Sequence, residues 1–383
     1  MRMPPAADNQ GRSLLEQLDT QPRVRAYLQR AVESHRTSHA YLFLGAPGSG
    51  KLDAAWALAQ SLICENGGCG ACEACVRVAR RTHPDVRLLT PESATGYLIA
   101  QIRDLIEEVS LAPVRASRKV YILDRADQLR ANTANALLKT LEEPPANVTF
   151  ILLGTSADTI LPTIVSRCQC VPFRLISPEA ASQAVMRATG LPLERCRMAV
   201  AVAGSPGRAT EFLKSVSRPE ARRAMLHALD ALAHADEADV LSEAKAVTLA
   251  VKAPLAEVKS TQEAILKRDE EFLSRGALKQ IEDRNKRELT ARERSGIMEV
   301  LACARSLVRD ALVQLEGIPG EPVNADVEDI VARLATELAS PVRALHALEA
   351  VTAAERAIQR NVTPQLAFEV MLFDIRKALT CPS

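Results

Sequence analysis

Aromatic residues are scarce: Phe, Tyr and Trp make up 3% of the 383 residues, with one Trp in the chain. So few rings, beside abundant Ala, Leu, Glu and Arg, argue against an all-β sandwich and for helices. Charge of one sign is lacking too. Lys and Arg number 48 against 47 Asp and Glu, a net charge of +1. That balance excludes a histone-like bulk attraction to nucleic acid and leaves room only for a local basic patch. No apolar run reaches the ~20 residues needed to cross a bilayer. Met1-Arg-Met-Pro-Pro has no apolar stretch behind its one basic residue, so no secretory signal and a cytoplasmic location are expected. A disulfide framework is not expected either, because the nine cysteines are odd in number and four fall between positions 64 and 75. What is present is ordinary globular material, 47% apolar and 25% charged, long enough for about two or three domains.

The first ~175 residues alternate between strand-like and helical patterns. Tyr41–Leu44, Asp85–Leu89, Val120–Leu123 and Val148–Leu153 are short apolar runs rich in β-branched or aromatic residues. Buried runs of this kind, separated by helical periods, predict a parallel sheet with crossover helices. Ser177-Pro178-Glu179 then reads as a helix start: a cap, a proline at the first helical position and an acid. Beyond it the pattern is helical, with short helices over Ala180–Met186, Leu193–Ala203 and Gly207–Ser215. Longer helices follow after about residue 218. Leu266–Arg294 is highly charged, with Glu282/Lys286, Asp283/Arg287 and Glu288/Arg292 four apart. It reads as a solvated face of a helix extending outward. Gly317–Pro322 reads as a loop. Asn147-Val-Thr and Asn361-Val-Thr match the glycosylation pattern, by chance if the chain is cytoplasmic.

Gly45-Ala-Pro-Gly48-Ser-Gly50-Lys51 lies between the first strand and a helical run, which is the setting a phosphate-binding loop requires. Glycines let backbone N–H groups turn in around an anion, and the helix N-terminus adds partial positive charge. Lys51 would reach the terminal phosphates. The next residue should be Ser or Thr, whose hydroxyl holds Mg²⁺, but it is Leu52. Asp124 follows the third strand as an acidic partner, yet Arg125 stands where many such ATPases carry a water-polarising glutamate. Two parts needed for hydrolysis are therefore missing. A loop kept for folding and a loop that still binds ATP passively both stay open.

Cys64-x4-Cys69-x2-Cys72-x2-Cys75 has the spacing to close a tetrahedral Zn²⁺ site, with no open coordination position and hence a structural role. The ferredoxin run C-x2-C-x2-C-x3-C-P does not match. Cys170, Cys196, Cys303 and Cys381 read as small apolar or incidental residues.

Several stretches together resemble the bacterial DNA polymerase III clamp-loader AAA+ family: His39–Phe43, the phosphate loop, the four-cysteine insertion, Ala134–Pro145, Ser166-Arg167-Cys168, Gly204–Arg208 and Asn361–Glu369. The resemblance spans roughly residues 10–375. It implies a RecA-like α/β AAA+ core with a zinc module over 1–175, an all-α lid over 176–235 and an all-α collar that holds the ring together over 236–383. Leu52 and Arg125 depart from the hydrolysing gamma/tau pattern and resemble the delta-prime branch. The implied setting is a loader built with gamma/tau and delta subunits that places a sliding clamp on primed DNA. There, Arg167 would act in trans as an arginine finger on a neighbour's γ-phosphate, with Ser166 and Cys168 positioning its loop. Thr155 and Arg208 fall at the family's two sensor positions and are equally open to being relics. The competing readings are an active gamma/tau-type ATPase and a zinc-bearing nucleic-acid binder unrelated to loading.

Overall fold

The computed structural model describes residues 13–93, 96–215, 217–269 and 275–380. It divides into two compact units, Met1–Gly190 with Ser205–Gly207, and Leu191–Gly204 with Arg208–Ser383.

The first unit runs α1 (Pro22–Glu33), β1 (Ala40–Leu44), α2 (Lys51–Ile63), α3 (Glu73–Ala79), β2 (Val86–Leu89), α4 (Ile99–Val109), β3 (Lys119–Leu123), α5 (Ala131–Glu142), β4 (Val148–Gly154), α6 (Pro162–Val165), β5 (Gln169–Pro172) and α7 (Pro178–Thr189). Its strands form one parallel sheet in the order β2-β3-β4-β1-β5. Side chains alternate across a strand, so each central strand feeds two cores. Tyr41, Phe43, Val120, Ile122, Ile151 and Leu153 face a cluster built with α1 and α2. Leu42, Tyr121, Leu123, Phe150 and Leu152 face a second cluster built with α4 and α5. Burial on both faces is why these strands are apolar throughout rather than alternating. On α5, Ala134, Leu137 and Leu141 are fully buried at helical spacing. Pro144 and Pro145 follow directly and stop the helix.

β5 is a strand that sequence periodicity does not reveal. Of its four residues only Val171 is buried, so it carries no apolar run. Its pairing with β1 still matters, because it brings Phe173 beside the phosphate loop: Phe173 N–H donates to Leu44 O at 2.6 Å.

The second unit, among the described residues, is helical: α8 (Leu193–Ala203), α9 (Pro206–Lys214, entering from the first unit), α10 (Arg218–Ala231), α11 (Glu237–Asp269), α12 (Arg275–Leu315), α13 (Glu328–Leu338), α14 (Pro341–Gln359) and α15 (Pro364–Thr380). Its core is drawn from Val240, Val247, Leu301, Val308, Val351 and Phe368, all fully buried. A polar knot fastens the loop after α12. Arg222 grips Asp326 with both terminal nitrogens at 2.7 and 2.9 Å, and Asn324 Nδ2 donates to Ser306 Oγ and Asp310 Oδ2, each at 2.9 Å. Burying these groups is tolerable because they satisfy most of one another's hydrogen bonds; Arg222 Nε is the atom of the knot left without a partner.

The charged segment 266–294 does not continue one helix. It contains the end of α11 and the start of α12, which pack antiparallel, as the Lys252–Glu293 and Gln262–Glu288 contacts require. The Glu288/Arg292 pair forms at 2.7 Å. The side chains of Asp283 and Arg287, like residue Cys381, lie outside the described residues.

Candidate nucleotide-loop and metal site

Parallel registry sets the carboxyl ends of β1, β3 and β4 along one sheet edge: Leu44 pairs with Gly154, and Leu123 with Leu152. Ligands of open α/β sheets bind at this edge, and Gly45, Asp124 and Thr155 each follow one of these strand ends. Gly48 and Gly50 both have φ of 81°, the left-handed turn that wraps the loop onto the start of α2. Gly45 has a separate reason to be glycine: a Cβ there would lie 2.7 Å from Phe173 O. Gln21 braces the loop from behind, its Nε2 donating to Ser49 O at 2.9 Å and Arg174 O at 2.6 Å. No sequence signal pointed to Gln21.

Lys51 Nζ donates to Gly45 O and, at 3.0 Å, to Ala46 O. Burial lowers its pKa, opposed by the nearby Asp124 and Asp127 carboxylates. Leu52, the second residue of α2, is half-buried and packs against the apolar cluster under α1 and α2. Its side chain is thus a core contact and offers no oxygen to a cation. Arg125 takes a left-handed backbone with φ of 49°. Thr155 is exposed and shares a 3.1 Å hydrogen bond with Thr159. Arg208 lies in the second unit, with its guanidinium 3.4 Å from Ser295 Oγ.

Arg167 follows the short helix α6, which Pro162 opens. Its Nε donates to Glu142 Oε1 at 2.7 Å and Nη1 to Thr163 O at 2.8 Å. Ser166 Oγ is 3.3 Å from the same guanidinium. A shallow depression of about 480 Å³ opens here, lined by His39, Leu141, Glu142, Ser166 and Arg167. Cys168 packs on the α4/α5 cluster, where burial pushes its thiol up to about 12, so it stays a neutral anchor. Glu142 is the residue that sequence reasoning passed over. It lies inside a quoted motif, but its partner is 25 positions away.

Cys64 caps α2, and Cys72 caps α3, accepting from Cys75 N–H. Between them Gly68, with φ of 102°, brings the chain so close to α2 that a Cβ would lie 2.8 Å from Ser61 Oγ. The four sulfurs all lie within 4.8 Å of one another, and Cys64–Cys69, Cys64–Cys72 and Cys69–Cys75 are 3.7, 3.7 and 3.9 Å apart. A tetrahedron with metal–sulfur bonds of about 2.3 Å has edges of about 3.8 Å. These separations also exceed a disulfide bond, and all four thiols are free. Backbone N–H groups of Cys72 and Ala71 pull Cys69 down to about 6, while burial pushes Cys75 upward. The group can hold a metal ion. Cys196 and Cys303 are buried in the second unit, and Cys170 is exposed on β5.

The fold and site together define a parallel α/β protein with a glycine-rich strand-to-helix loop, a helical second unit and a four-thiol module. Residues 20–177 match the family model for DNA polymerase III, delta subunit. A DNA polymerase III subunit delta' of Bacillus subtilis is 44% identical over 168 residues, covering 43% of this chain and 51% of that one. The delta' subunit of Pseudomonas aeruginosa is 40% identical over 164 residues, 41% of this chain and 49% of that one. The gamma/tau subunit of Mycobacterium tuberculosis is 38% identical over 162 residues, 41% of this chain and 28% of that one. The chain thus spans about half the length of the delta' relatives it matches and less of gamma/tau. Over residues 20–177 the chain is thus similar to bacterial DNA polymerase III clamp-loader subunits, delta' and gamma/tau alike. Among the described residues no helix is long and apolar enough to cross a membrane.

Proposed function

We propose that the chain is a non-hydrolysing, delta-prime-like subunit of a cytoplasmic clamp loader that completes a neighbouring subunit's ATPase site with Arg167. The observation that carries this reading is the place of Leu52. The residue that should present a hydroxyl to Mg²⁺ is a half-buried leucine packed against the apolar cluster, and Arg125 stands in place of the second group hydrolysis needs. Arg167 keeps what a trans-acting group requires. A guanidinium is permanently charged, matches phosphate geometry, and here stands on a braced turn, 32% exposed.

The partners in this reading are gamma/tau and delta subunits, with the sliding clamp and primed DNA met through the complex. Residues 176–235 would serve as lid and 236–383 as collar. Zn²⁺ is the metal that four thiols at tetrahedral spacing suit best, as a structural ion closed to substrate. Gly45, Gly48, Gly50, Lys51 and Asp124 would then form a vestigial or weak ATP site.

A second reading, an active gamma/tau-type ATPase, draws on the intact Gly45–Lys51 loop and Asp124. One experiment separates them. The purified chain is assayed alone and then reconstituted with gamma/tau, delta, clamp and primed DNA. No turnover alone, with complex turnover falling about 10³–10⁵-fold in Arg167→Ala, is expected. Metal-dependent turnover by the lone chain that Lys51→Ala abolishes would establish the second reading instead.

A further inference from the structure

The paired helices α11 and α12 run far past the core they belong to. At 1.5 Å per residue, their 33 and 41 residues correspond to about 50 and 60 Å. Burial stops partway along both. Val251 is the last buried side chain of α11, and Ile297 is the first of α12 among the described side chains. Between those points the arm has apolar residues, but they are only half covered. Two helices cannot fully enclose an apolar seam between them, and most helix stability in water comes from covering such a face. Pro254 also removes an intrahelical hydrogen bond just where the core ends.

One face of this arm carries a shallow, open depression. A groove of about 380 Å³ has Leu255 and Leu289 in its lining, with Lys252 and Lys259 from α11 and Lys286 from α12. Lys252 and Lys259 are seven residues apart and so share one helical stripe. Glu293 is the acidic residue in the lining, 3.5 Å from Lys252. Three lysines against one glutamate in the lining leave the groove positive, even with Glu263 beside the rim 3.8 Å from Lys259, although the chain as a whole is nearly neutral.

We propose that this groove is a docking site for an acidic amphipathic helix of another protein, which would complete a three-helix bundle on the arm. Its apolar stripe would cover Leu255 and Leu289, and its carboxylates would meet the lysine rims. A nucleic-acid backbone fits less well, because it has no use for an apolar floor and would meet Glu293. A second copy of the chain would set lysines against lysines.

The test uses the full-length chain with three probes: a helical peptide with leucine at the core positions and glutamate beside them, the same peptide with lysine for glutamate, and a duplex DNA of similar length. Fluorescence anisotropy should show the acidic peptide binding at least about tenfold more tightly than the basic one, the sum of several half-exposed charge pairs. The combined Lys252→Glu, Lys259→Glu and Lys286→Glu variant should invert that preference, and Leu289→Asp should abolish peptide binding. If the triple variant does not fold, the wild-type affinity for the acidic peptide must still fall as salt rises. Equal binding of both peptides, no binding, salt-independent binding, or displacement of the acidic peptide by the DNA would overturn the proposal. So would sedimentation showing a dimer of the chain that Leu289→Asp dissociates.

Discussion

Glu142 holds Arg167: the guanidinium Nε, just past the end of α6, donates at 2.7 Å to the carboxylate on the last residue of α5. The group proposed to reach a neighbour's phosphate is therefore tethered within its own chain. The tether must open, or be shared, before the arginine can act in trans. A partly exposed ion pair contributes about 0.2–1 kcal/mol. Glu142→Gln should accordingly raise the ATPase rate of the reconstituted complex, by no more than about fivefold, since RT ln 5 is about 1 kcal/mol. Arg167→Lys should behave like Arg167→Ala, because an ammonium lacks the planar fork. Steady-state ATPase of the three variant complexes checks both statements. A drop in rate for Glu142→Gln would mean that the carboxylate aims the arginine rather than restrains it.

Asp85 secures a different part of the same unit. Its carboxylate accepts three backbone N–H bonds from the loop before β3: Val114 at 2.6 Å, Arg115 at 2.8 Å and Ala116 at 2.9 Å. Burial alone would raise its pKa, but the amides of Val114, Ala116 and Arg115 together outweigh it and hold the carboxyl below its ordinary value. A depressed carboxylate stabilises the fold above its unfolded pKa of about 3.9 and loses that contribution as pH falls through the lower folded value. Asp85→Asn should destabilise the protein by about 1–3 kcal/mol near neutrality, because an amide N–H would face backbone donors. It should also flatten the acid limb of the stability curve below about pH 4. Urea unfolding of both proteins across that range measures the difference.

How much of this was legible in the sequence depends on whether the signal was local. β1, β3 and β4 announce themselves because both faces are buried, and the phosphate loop and the cysteine cluster are contiguous motifs. Ser177 caps α7 as its sequence predicts, accepting from Ala180 N–H at 3.2 Å. β5 was hidden because a four-residue edge strand with one buried side chain has no period to detect. Glu142 and Asp85 were hidden for another reason. Each acts on a partner some 25 to 31 positions away, and nothing in the neighbouring residues marks the pairing. The reversal of direction between α11 and α12 was masked by charge, which satisfies a helical pattern in both helices.

The four-thiol module gives a prediction by metal removal. It joins α2 to α3, and Gln60 of α2 donates to Cys75 O at 3.1 Å across it. If a metal closes the module, a strong chelator and Cys69→Ser should lower the melting temperature to a similar extent. The chelator should then add nothing further in the variant, because both remove one and the same cross-link. Elemental analysis should give one zinc per chain in the wild type and none in Cys69→Ser. Equal stability with and without chelator would show that thiol packing alone holds the module.

Leu52 offers the sharpest separation between a loop that has lost metal chemistry and one that merely lacks a partner. Its half-buried side chain packs against the apolar cluster beneath α1 and α2, so Leu52→Thr removes partly covered methyl groups and introduces a hydroxyl. Partial loss of such packing costs about 1–3 kcal/mol. The same hydroxyl supplies the missing oxygen ligand for Mg²⁺. The variant should therefore be less stable than the wild type, yet bind ATP more tightly with Mg²⁺ than without it, a dependence absent from the wild type. Turnover should still be missing, because Arg125 cannot polarise water. Adding Arg125→Glu to Leu52→Thr is the step at which phosphate release should first appear. Phosphate release by Leu52→Thr alone would show that the water-activating group lies elsewhere on this sheet edge.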